Sequence, residues 1–318
     1  MDFALSETHD ITRKMVREFA EREIAPESRK YDESQEVPSH WAAKMAGLGL
    51  LGVFVPEKLG AYALTEPGSG SDAAAMRTTA KLEGKDWVLN GTKQFVTNAA
   101  DADLVVVYAR TGSEKHDISA FLVPTDAHGF SRLKKENKLG IRASDTMTLG
   151  FDGCRIPKDA LLGTQGKGFN IALATLDGGR IGIAAQALGI AQRALEESLR
   201  YSQEREAFGS KISEFEATQW KLADMATEIE AARLLTYRAA WMKDRGVRHT
   251  YESSAAKLFA SEASHRAVDA ALQIHGGYGF IKDYVVEKLY RDQRITELYE
   301  GTSEVQRLVI ARAVLGGK

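Results

Sequence analysis

Residues 82–107 read LEGKDWVLNGTKQFVTNAADADLVVV, a pattern typical of paired β-strands rather than of a helix. The strand-like apolar positions are Leu82, Trp87, Leu89, Phe95 and the run 104–107. Between them stand Asn90 and Gly91, the dipeptide typical of a two-residue hairpin turn. The stretch therefore predicts a block of β-strands with a hairpin at Asn90-Gly91.

Helical periodicity flanks this block on both sides. Before it, apolar residues mark a helix over 6–28, which Pro26 helps to end, and a shorter helix over 39–48. Strands at 118–123 and 146–151 extend the block, and after Pro157 the chain is helical to its end. The predicted helices there are 169–201, 216–245, 250–274, 283–293 and a last one from Ser303. The sequence thus predicts helices over 1–60, a β domain over 61–157 and a helical bundle over 158–318.

The composition excludes several classes of function. The 318 residues carry a net charge of −2 and the isoelectric point is 6.4, so electrostatics does not favour nucleic acid or an anionic membrane. No apolar run reaches membrane length and the N-terminus lacks a signal-peptide pattern, which predicts a cytoplasmic protein. The single cysteine, Cys154, fits a reducing compartment and is predicted to be a small buried residue rather than a catalytic thiol.

Glu300 is the candidate catalytic residue, in the sequence Tyr-Glu-Gly-Thr-Ser just before the last helix. Ser303 followed by Gln306 predicts a capping box, so the helix should begin at Ser303 and Glu300 should lie in the loop before it. A carboxylate beside a glycine and an aromatic ring can face a pocket, where a raised pKa suits a general base. A solvated loop acid is the alternative.

Two glycine-rich stretches add information. Residues 65–72, TEPGSGSD, combine glycines with small hydroxyls that let backbone N–H groups approach a phosphate or a flavin. They lack the lysine of a Walker loop and the long helix of a dinucleotide fingerprint, and a plain turn is the alternative. Residues 273–279, QIHGGYG, end a long helix with more glycines than a C-cap needs, and His275 reads as structural. No His or Cys spacing predicts a metal site.

Taken together, these segments resemble the acyl-CoA dehydrogenase family, in particular its short- and medium-chain, butyryl-CoA dehydrogenase-like branch. Residues 63–72 and 273–292 resemble the two family signatures, and 205–209 (REAFG), 176–180 (LDGGR) and 299–302 (YEGT) resemble its arginine-phenylalanine, substrate-facing and catalytic motifs. The matches occur in family order and cover nearly the whole chain. The resemblance implies an α+β fold with N-terminal helices, a central antiparallel β-barrel or sandwich and a C-terminal four-helix bundle.

The resemblance also implies a reaction. An FAD-dependent enzyme of fatty acid β-oxidation would convert a short- or medium-chain acyl-CoA to the trans-2-enoyl-CoA and pass the electrons to electron-transfer flavoprotein. Glu300 would remove the α-proton while a β-hydride passes to the flavin. The backbone N–H of Glu300 would help to hold the thioester carbonyl. A homotetramer is expected, in the cytoplasm, or in the mitochondrial matrix for a processed eukaryotic chain.

Site residues carry over one at a time. The residues implied to line the FAD from the β domain are Tyr62, Leu64, Thr65, Ser71, Phe95 and Thr97. Those implied to reach the FAD of a neighbouring subunit are Arg205, Phe208, Gln273 and Gly277. Two residues, Thr302 and Glu304, are implied for its adenosine side. The implied substrate contacts are Ser71, Asp177, Arg180, Tyr299 and Gly301.

One departure from the family pattern concerns the N-terminal domain. In the family a helical segment follows the stretch that resembles residues 53–60 and forms a wall of the acyl pocket, whereas here Ala61 follows Gly60 directly. A natural deletion, an engineered one, or a sequence compiled from ordered residues only would each explain the join. Two rivals therefore stay open. One is a flavin oxidase or monooxygenase, and the other is a non-catalytic scaffold or assembly protein that has lost the pocket.

Overall fold

The structure is a computed structural model that describes residues 5–50 and 59–316. It divides into two compact units, Met1–Leu173 and Ala174–Lys318. The predicted N-terminal helices and β domain both belong to the first unit, and most of the predicted helical bundle belongs to the second. The α+β fold is confirmed, while the predicted domain boundaries near residues 60 and 157 stay predictions.

The first unit begins with three short helices. They are α1 (Glu7–Phe19), which runs on as a π-helical turn (Ala20–Ile24), α2 (Ser28–Ser34) and α3 (Ser39–Gly47). The Ser6 hydroxyl caps α1 by accepting from the His9 backbone N–H at 3.4 Å. The two helices predicted here are confirmed. The sequence missed α2, which is seven residues long and ends at a left-handed Gln35 (φ +58°).

The β domain is one eight-stranded sheet in the order β6-β7-β3-β2-β4-β5-β8, with β1 also paired to β4. Its strands are β1 (Gly60–Ala63), β2 (Thr79–Glu83), β3 (Asp86–Thr97), β4 (Leu104–Arg110), β5 (Ile118–Pro124), β6 (Phe130–Lys135), β7 (Thr146–Pro157) and β8 (Leu161–Leu162). Most pairs are antiparallel, and β4 pairs parallel with β1 and β2.

The core of the sheet contains some of the apolar residues that the alternation pattern identified, but Leu82 and Phe95 are exposed. Trp87, Leu89, Val105 and Val107 are all buried there. Cys154 is also fully buried, and burial raises the pKa of its thiol to about 11, so the predicted structural role is confirmed.

The predicted hairpin at Asn90-Gly91 is wrong. These residues lie inside β3, where Gly91 pairs with Phe151 beside a register shift, and the chain reverses instead at Gly84. Gly91 has φ +148°, and an added Cβ would lie 2.7 Å from the Cα of Thr78. The glycine therefore permits an irregularity within a strand and a close backbone approach, which the same dipeptide signals as readily as a turn.

The second unit is helical. Its elements are α4 (Gly168–Glu204, which begins in the first unit), the small hairpin β9 (Glu206–Ala207) and β10 (Ser210–Lys211), α5 (Glu216–Asp244), α6 (Thr250–His275), α7 (Val286–Gln293) and α8 (Ser303–Val314). Alanines of α4, α5 and α6 form a buried cluster, which allows these helices to pack closely. All five predicted helices are confirmed. No helix within the described ranges is long and apolar enough to cross a membrane.

The predicted cap of the last helix is displaced by one residue. Thr302, not Ser303, is the N-cap of α8, and its hydroxyl accepts from the Val305 N–H at 3.3 Å. Gln306 does not return to the capping residue, because its side-chain amide donates to the carbonyl oxygens of Glu300 and Gly301. The expected capping box is therefore replaced by bonds that hold the preceding turn.

Gly91→Ala tests the account of the sheet. It combines an unfavourable φ with a clash against the backbone of Thr78, so we expect the free energy of unfolding to fall by about 3 kcal/mol. Gly84→Ala is the matched control. It has φ +65° but no heavy atom within 4 Å among the described residues, so its cost should be about 1 kcal/mol. Urea denaturation measures both, and equal losses would contradict the packing at Gly91.

Candidate active site

Glu300 lies in a turn between the 3₁₀ turn Arg294–Glu297 and helix α8. Its φ is +55° and that of Gly301 is +90°, so two consecutive residues are left-handed. A left-handed conformation costs a non-glycine residue about 1–2 kcal/mol, and such residues cluster where function requires a fixed geometry. The surrounding contacts must therefore hold Glu300 in place.

Two buried side chains supply those contacts. The Lys257 ammonium donates to the Gly301 carbonyl at 2.7 Å, and the Gln306 amide donates to the Glu300 and Gly301 carbonyls at 3.1 and 2.9 Å. Gly301 must be glycine, because an added Cβ would lie 2.7 Å from Nε2 of Gln306. Hydrogen bonds from one side chain of α6 and one of α8 thus hold the turn.

The Glu300 carboxylate packs against helix α4. An added Cβ at Gly179 would lie 2.6 Å from Oε2 of Glu300, so this glycine leaves the space that the carboxylate occupies. The side chain is partly buried, and burial raises its pKa although the cations Arg180 and Lys257 oppose the rise. Glu300 is therefore not a solvated loop acid, and a raised pKa is what a general base requires.

Arg180 and Asp177 lie on α4 and form an ion pair of 2.7 Å. Asp177 also accepts from the Thr250 hydroxyl at 2.7 Å, and Arg180 donates to the Ser254 hydroxyl at 3.3 Å. Only 5% of Arg180 is exposed, and burial lowers its pKa. The structure therefore brings Arg180 into the electrostatic environment of Glu300, while the implied contacts of both residues with CoA stay predictions.

Tyr299 is oriented by a partner on α4. Its hydroxyl donates to the Gln186 side-chain carbonyl, and burial raises its pKa to about 12. The phenol is consequently neutral over the physiological range, and it adds no charge next to Glu300.

Lys257 is the residue of the candidate site that the sequence analysis missed. Lys257 lies in α6 and its side chain is fully buried, which lowers its pKa to about 8. A signal was present, since α6 places small polar residues on the same buried face at helical spacing. These residues are Ser253, Ser254, Ser261 and Ser264. A lysine within such a face has no route to solvent and needs a partner.

A second group of predicted residues gathers in the first unit. Leu64 and Thr65 lie against β3, because the Leu64 carbonyl accepts from Lys93 at 2.9 Å and the Thr65 carbonyl from the Gln94 N–H at 2.8 Å. Phe95 is 60% exposed on a left-handed backbone (φ +58°). The other members are partly buried Tyr62 and exposed Ser71 and Thr97. An exposed aromatic ring and exposed hydroxyls are groups that a flat aromatic ligand with polar edges requires.

The glycine-rich loop of residues 65–72 is anchored by a buried ion pair that the sequence analysis did not identify. The Lys93 ammonium lies 2.9 Å from Oε1 of Glu66. The Glu66 carboxylate also accepts from two backbone N–H groups, that of Thr78 at Oε1 and that of Arg77 at Oε2. Burial opposes ionisation of Glu66, but Lys93 and these donors hold its pKa below the usual range. Burial lowers the pKa of Lys93 to about 8. The loop is therefore more than a plain turn.

A third group lies in the second unit, around an open depression of about 420 Å³ that Arg205 and Gly277 help to line. The Arg205 guanidinium stands 5.7 Å from the centre of the Tyr278 ring. His275 stacks on Tyr201 at 4.2 Å, and burial lowers its pKa, so its role is structural. The Gln273 carbonyl accepts from the backbone N–H of Gly276, the C-cap of α6.

Phe208 is the most exposed apolar residue of this group. It lies between β9 and β10 with φ +53°, and 98% of its surface is exposed. The two residues implied for the adenosine side of FAD lie at the start of α8: Thr302 is its N-cap and Glu304 is in its first turn.

Comparisons with known proteins give a consistent result. Models of the N-terminal, middle and C-terminal domains of acyl-CoA dehydrogenase match residues 6–84, 61–154 and 166–315. The mitochondrial short-chain specific acyl-CoA dehydrogenase of Bos taurus is 44% identical over 374 residues, covering 98% of this chain and 91% of that protein.

Solved structures agree with the sequence matches. Butyryl-CoA dehydrogenase from Megasphaera elsdenii has a TM-score of 0.96 at 35% identity and covers 99% of this chain and 100% of that one. A chain of the structure described as the electron transferring flavoprotein of Acidaminococcus fermentans has the same TM-score and coverage at 39% identity.

The match to the bovine relative is longer than this chain. It spans 374 residues against 318 here, so at least 56 positions, the difference between the two, have no counterpart. This difference supports the predicted absence of an internal segment. Its position between Gly60 and Ala61 stays a prediction, and most of the stretch 53–60 lies outside the described residues.

The raised pKa of Glu300 predicts how stability depends on pH. Between 4.5, its ordinary value, and the raised pKa, the folded protein binds more protons at Glu300 than the unfolded chain. This group therefore lowers the free energy of unfolding as pH rises through that window. Glu300→Gln removes the effect, so the variant should gain stability over the native chain above the window and show no such gain below it.

Glu304→Gln is the control, because the pKa of Glu304 is lowered whereas that of Glu300 is raised. The Glu304 backbone N–H lowers the pKa of this carboxyl, so its contribution is present above the ordinary value and is lost as pH falls. Urea denaturation from pH 4 to pH 8 measures both variants. A Glu300→Gln gain that did not change with pH would contradict the raised pKa.

Proposed function

Because the chain belongs to the acyl-CoA dehydrogenase family, we propose that it oxidises a short- or medium-chain acyl-CoA to the trans-2-enoyl-CoA, with FAD as the oxidant. The observation that carries this proposal is Glu300: a partly buried carboxylate with a raised pKa, on a turn that two buried side chains hold. The short-chain and butyryl-CoA names of the relatives support the choice of chain length.

Glu300 acts as the base in this reaction. The α-proton of an acyl thioester is weakly acidic, so a carboxylate of ordinary pKa is too weak a base, and burial brings Glu300 closer to the strength required. The α C–H bond breaks, its proton passes to a Glu300 oxygen, and its electron pair becomes part of the new double bond. FAD, when bound, accepts the hydride that leaves the β-carbon. Arg180 and Lys257 oppose the effect of burial and so favour the ionised form of Glu300 that accepts the proton.

The residues of the first unit fit the flavin. The exposed Phe95 ring offers a face for stacking, and the hydroxyls of Thr65, Ser71 and Thr97 can bond to polar edges. The buried Glu66–Lys93 pair keeps the loop that carries two of them in one conformation. We assign FAD binding to these residues together with Tyr62 and Leu64.

An oligomer and an electron acceptor complete the proposal. The exposed Phe208 and the open depression lined by Arg205 and Gly277, beside Gln273, support a homotetramer in which these residues reach the FAD of a neighbouring subunit. Thr302 and Glu304 serve its adenosine side, and Gly301 and Tyr299 with Asp177, Arg180 and Ser71 serve the acyl-CoA. The likeness to a chain from an electron transferring flavoprotein structure supports that protein as the partner. A reducing compartment fits the single buried Cys154.

Flavin bleaching tests the proposed function against both rivals. The purified chain should be yellow, and anaerobic butyryl-CoA or octanoyl-CoA should bleach its flavin absorbance as the enoyl-CoA forms. Glu300→Gln should stay yellow and bleach at least 10²-fold more slowly, since it lacks the base. A colourless preparation, or absorbance that no acyl-CoA changes, would support the non-catalytic scaffold. Rapid reoxidation by air with hydrogen peroxide release would support an oxidase.

A further inference from the structure

The turn that carries Glu300 is held by donors that the catalytic motif does not contain. Its two carbonyl oxygens accept three hydrogen bonds from the side chains of Lys257 and Gln306, and both of these side chains are fully buried. Lys257 lies in α6, 43 residues before Glu300 along the chain, by the difference between 300 and 257, so only the folded structure reveals the connection.

Of the three hydrogen bonds, only the one from Lys257 has a charged donor. At 2.7 Å it is a charge-assisted bond, and such bonds are roughly twice as strong as neutral ones. Its acceptor is the carbonyl of Gly301, the residue after Glu300, so the bond fixes the Gly301–Thr302 peptide and restrains the turn that carries the carboxylate. A left-handed glutamate that lost this restraint would relax toward the right-handed region.

Lys257 also acts on Glu300 through its charge. The groups that face Lys257 are Arg180 from α4, Glu297 from the 3₁₀ turn, Glu300 and, from the start of α8, Glu304. Those that act on Glu300 are Arg180 and Lys257, with the neutral Tyr299 beside it in the chain. The lysine therefore contributes one of two positive charges that favour the ionised base.

Burial of a lysine ordinarily weakens a protein. Removing an ammonium from water costs several kcal/mol, and an apolar residue of similar volume is often at least as stabilising. Gln306 shows that a neutral amide can hold the same carbonyl. The charge on Lys257 therefore requires an explanation beyond attachment of the turn.

We propose that Lys257 is a positioning residue for the catalytic base: its ammonium fixes the Gly301 carbonyl and so orients the Glu300 carboxylate, and its charge favours the ionised form of that carboxylate. Gln306 is its neutral counterpart, which restrains the same turn without a charge. The proposal rests on the role of Glu300 in the proposed function, and it extends that role to a residue outside the YEGT motif.

Replacing Lys257 and Gln306 in turn by methionine, an unbranched residue, separates the effect of the hydrogen bonds from the effect of the charge. Lys257→Met removes a hydrogen bond and a charge, and Gln306→Met removes hydrogen bonds only. We expect both to lower kcat by about 10²-fold with a smaller effect on KM, because each releases the turn. Only Lys257→Met should move the acidic limb of the kcat–pH profile to higher pH, since it removes a positive charge near Glu300.

Carbon-13 NMR gives a second readout that needs no turnover. The side-chain carboxyl resonance of Glu300 is assigned in glutamate-labelled protein by its loss in Glu300→Gln, and its titration is then followed. The pKa of Glu300 should rise in Lys257→Met and stay at the native value in Gln306→Met. Lys257→Gln is the second neutral variant in case Lys257→Met does not fold, and it should raise the pKa in the same direction.

The outcomes separate this inference from the proposed function. An unchanged kcat in both Lys257 variants would overturn the positioning role. An unchanged carboxyl pKa and acidic limb in those variants, or equal shifts in Gln306→Met, would overturn the role of the charge. If no acyl-CoA were oxidised by the native chain, the proposed function would fail, and the NMR titration would still decide whether Lys257 controls Glu300.

Discussion

The left-handed turn at Glu300 and Gly301 is the constraint on which the rest of the candidate site depends. This conformation is unfavourable for glutamate, and it persists because α6 and α8 each direct a buried donor at the carbonyls of the turn. This conformation places the Glu300 carboxylate next to Gly179 of α4, where an added Cβ would collide with Oε2 of Glu300. The strain, the donors and the glycine are parts of one arrangement that holds a carboxylate out of bulk water.

Both units use a buried lysine for the same purpose. In the second unit Lys257 holds the Gly301 carbonyl, and in the first unit Lys93 holds the Leu64 carbonyl beside the glycine-rich loop. The charge balance differs between them. Lys93 forms an ion pair with the single carboxylate of Glu66. Lys257 instead interacts electrostatically with several acidic and basic groups, of which Glu300 is one. The first arrangement fixes a loop, and the second also influences the protonation of Glu300.

The sequence predicted features that depend on local order and missed those that depend on the folded interior. Helix and strand periods identified α4, α5, α6 and most of the sheet, and the YEGT motif identified Glu300. Asn90-Gly91 was misread because a bulge and a hairpin require the same permissive backbone. Lys257 was missed because a lysine is ordinarily a surface residue, and only the packing of α6 shows that it has no path to solvent.

Exchange of the substrate α-hydrogen with solvent tests the central claim most directly. A 3-thia-acyl-CoA analogue in D₂O should acquire deuterium at its α-carbon on the native protein, because Glu300 removes the proton and the solvent returns a deuteron. Mass spectrometry follows the exchange. We expect Glu300→Gln to slow it by about 10³-fold. Exchange at the native rate in Glu300→Gln would show that another group is the base.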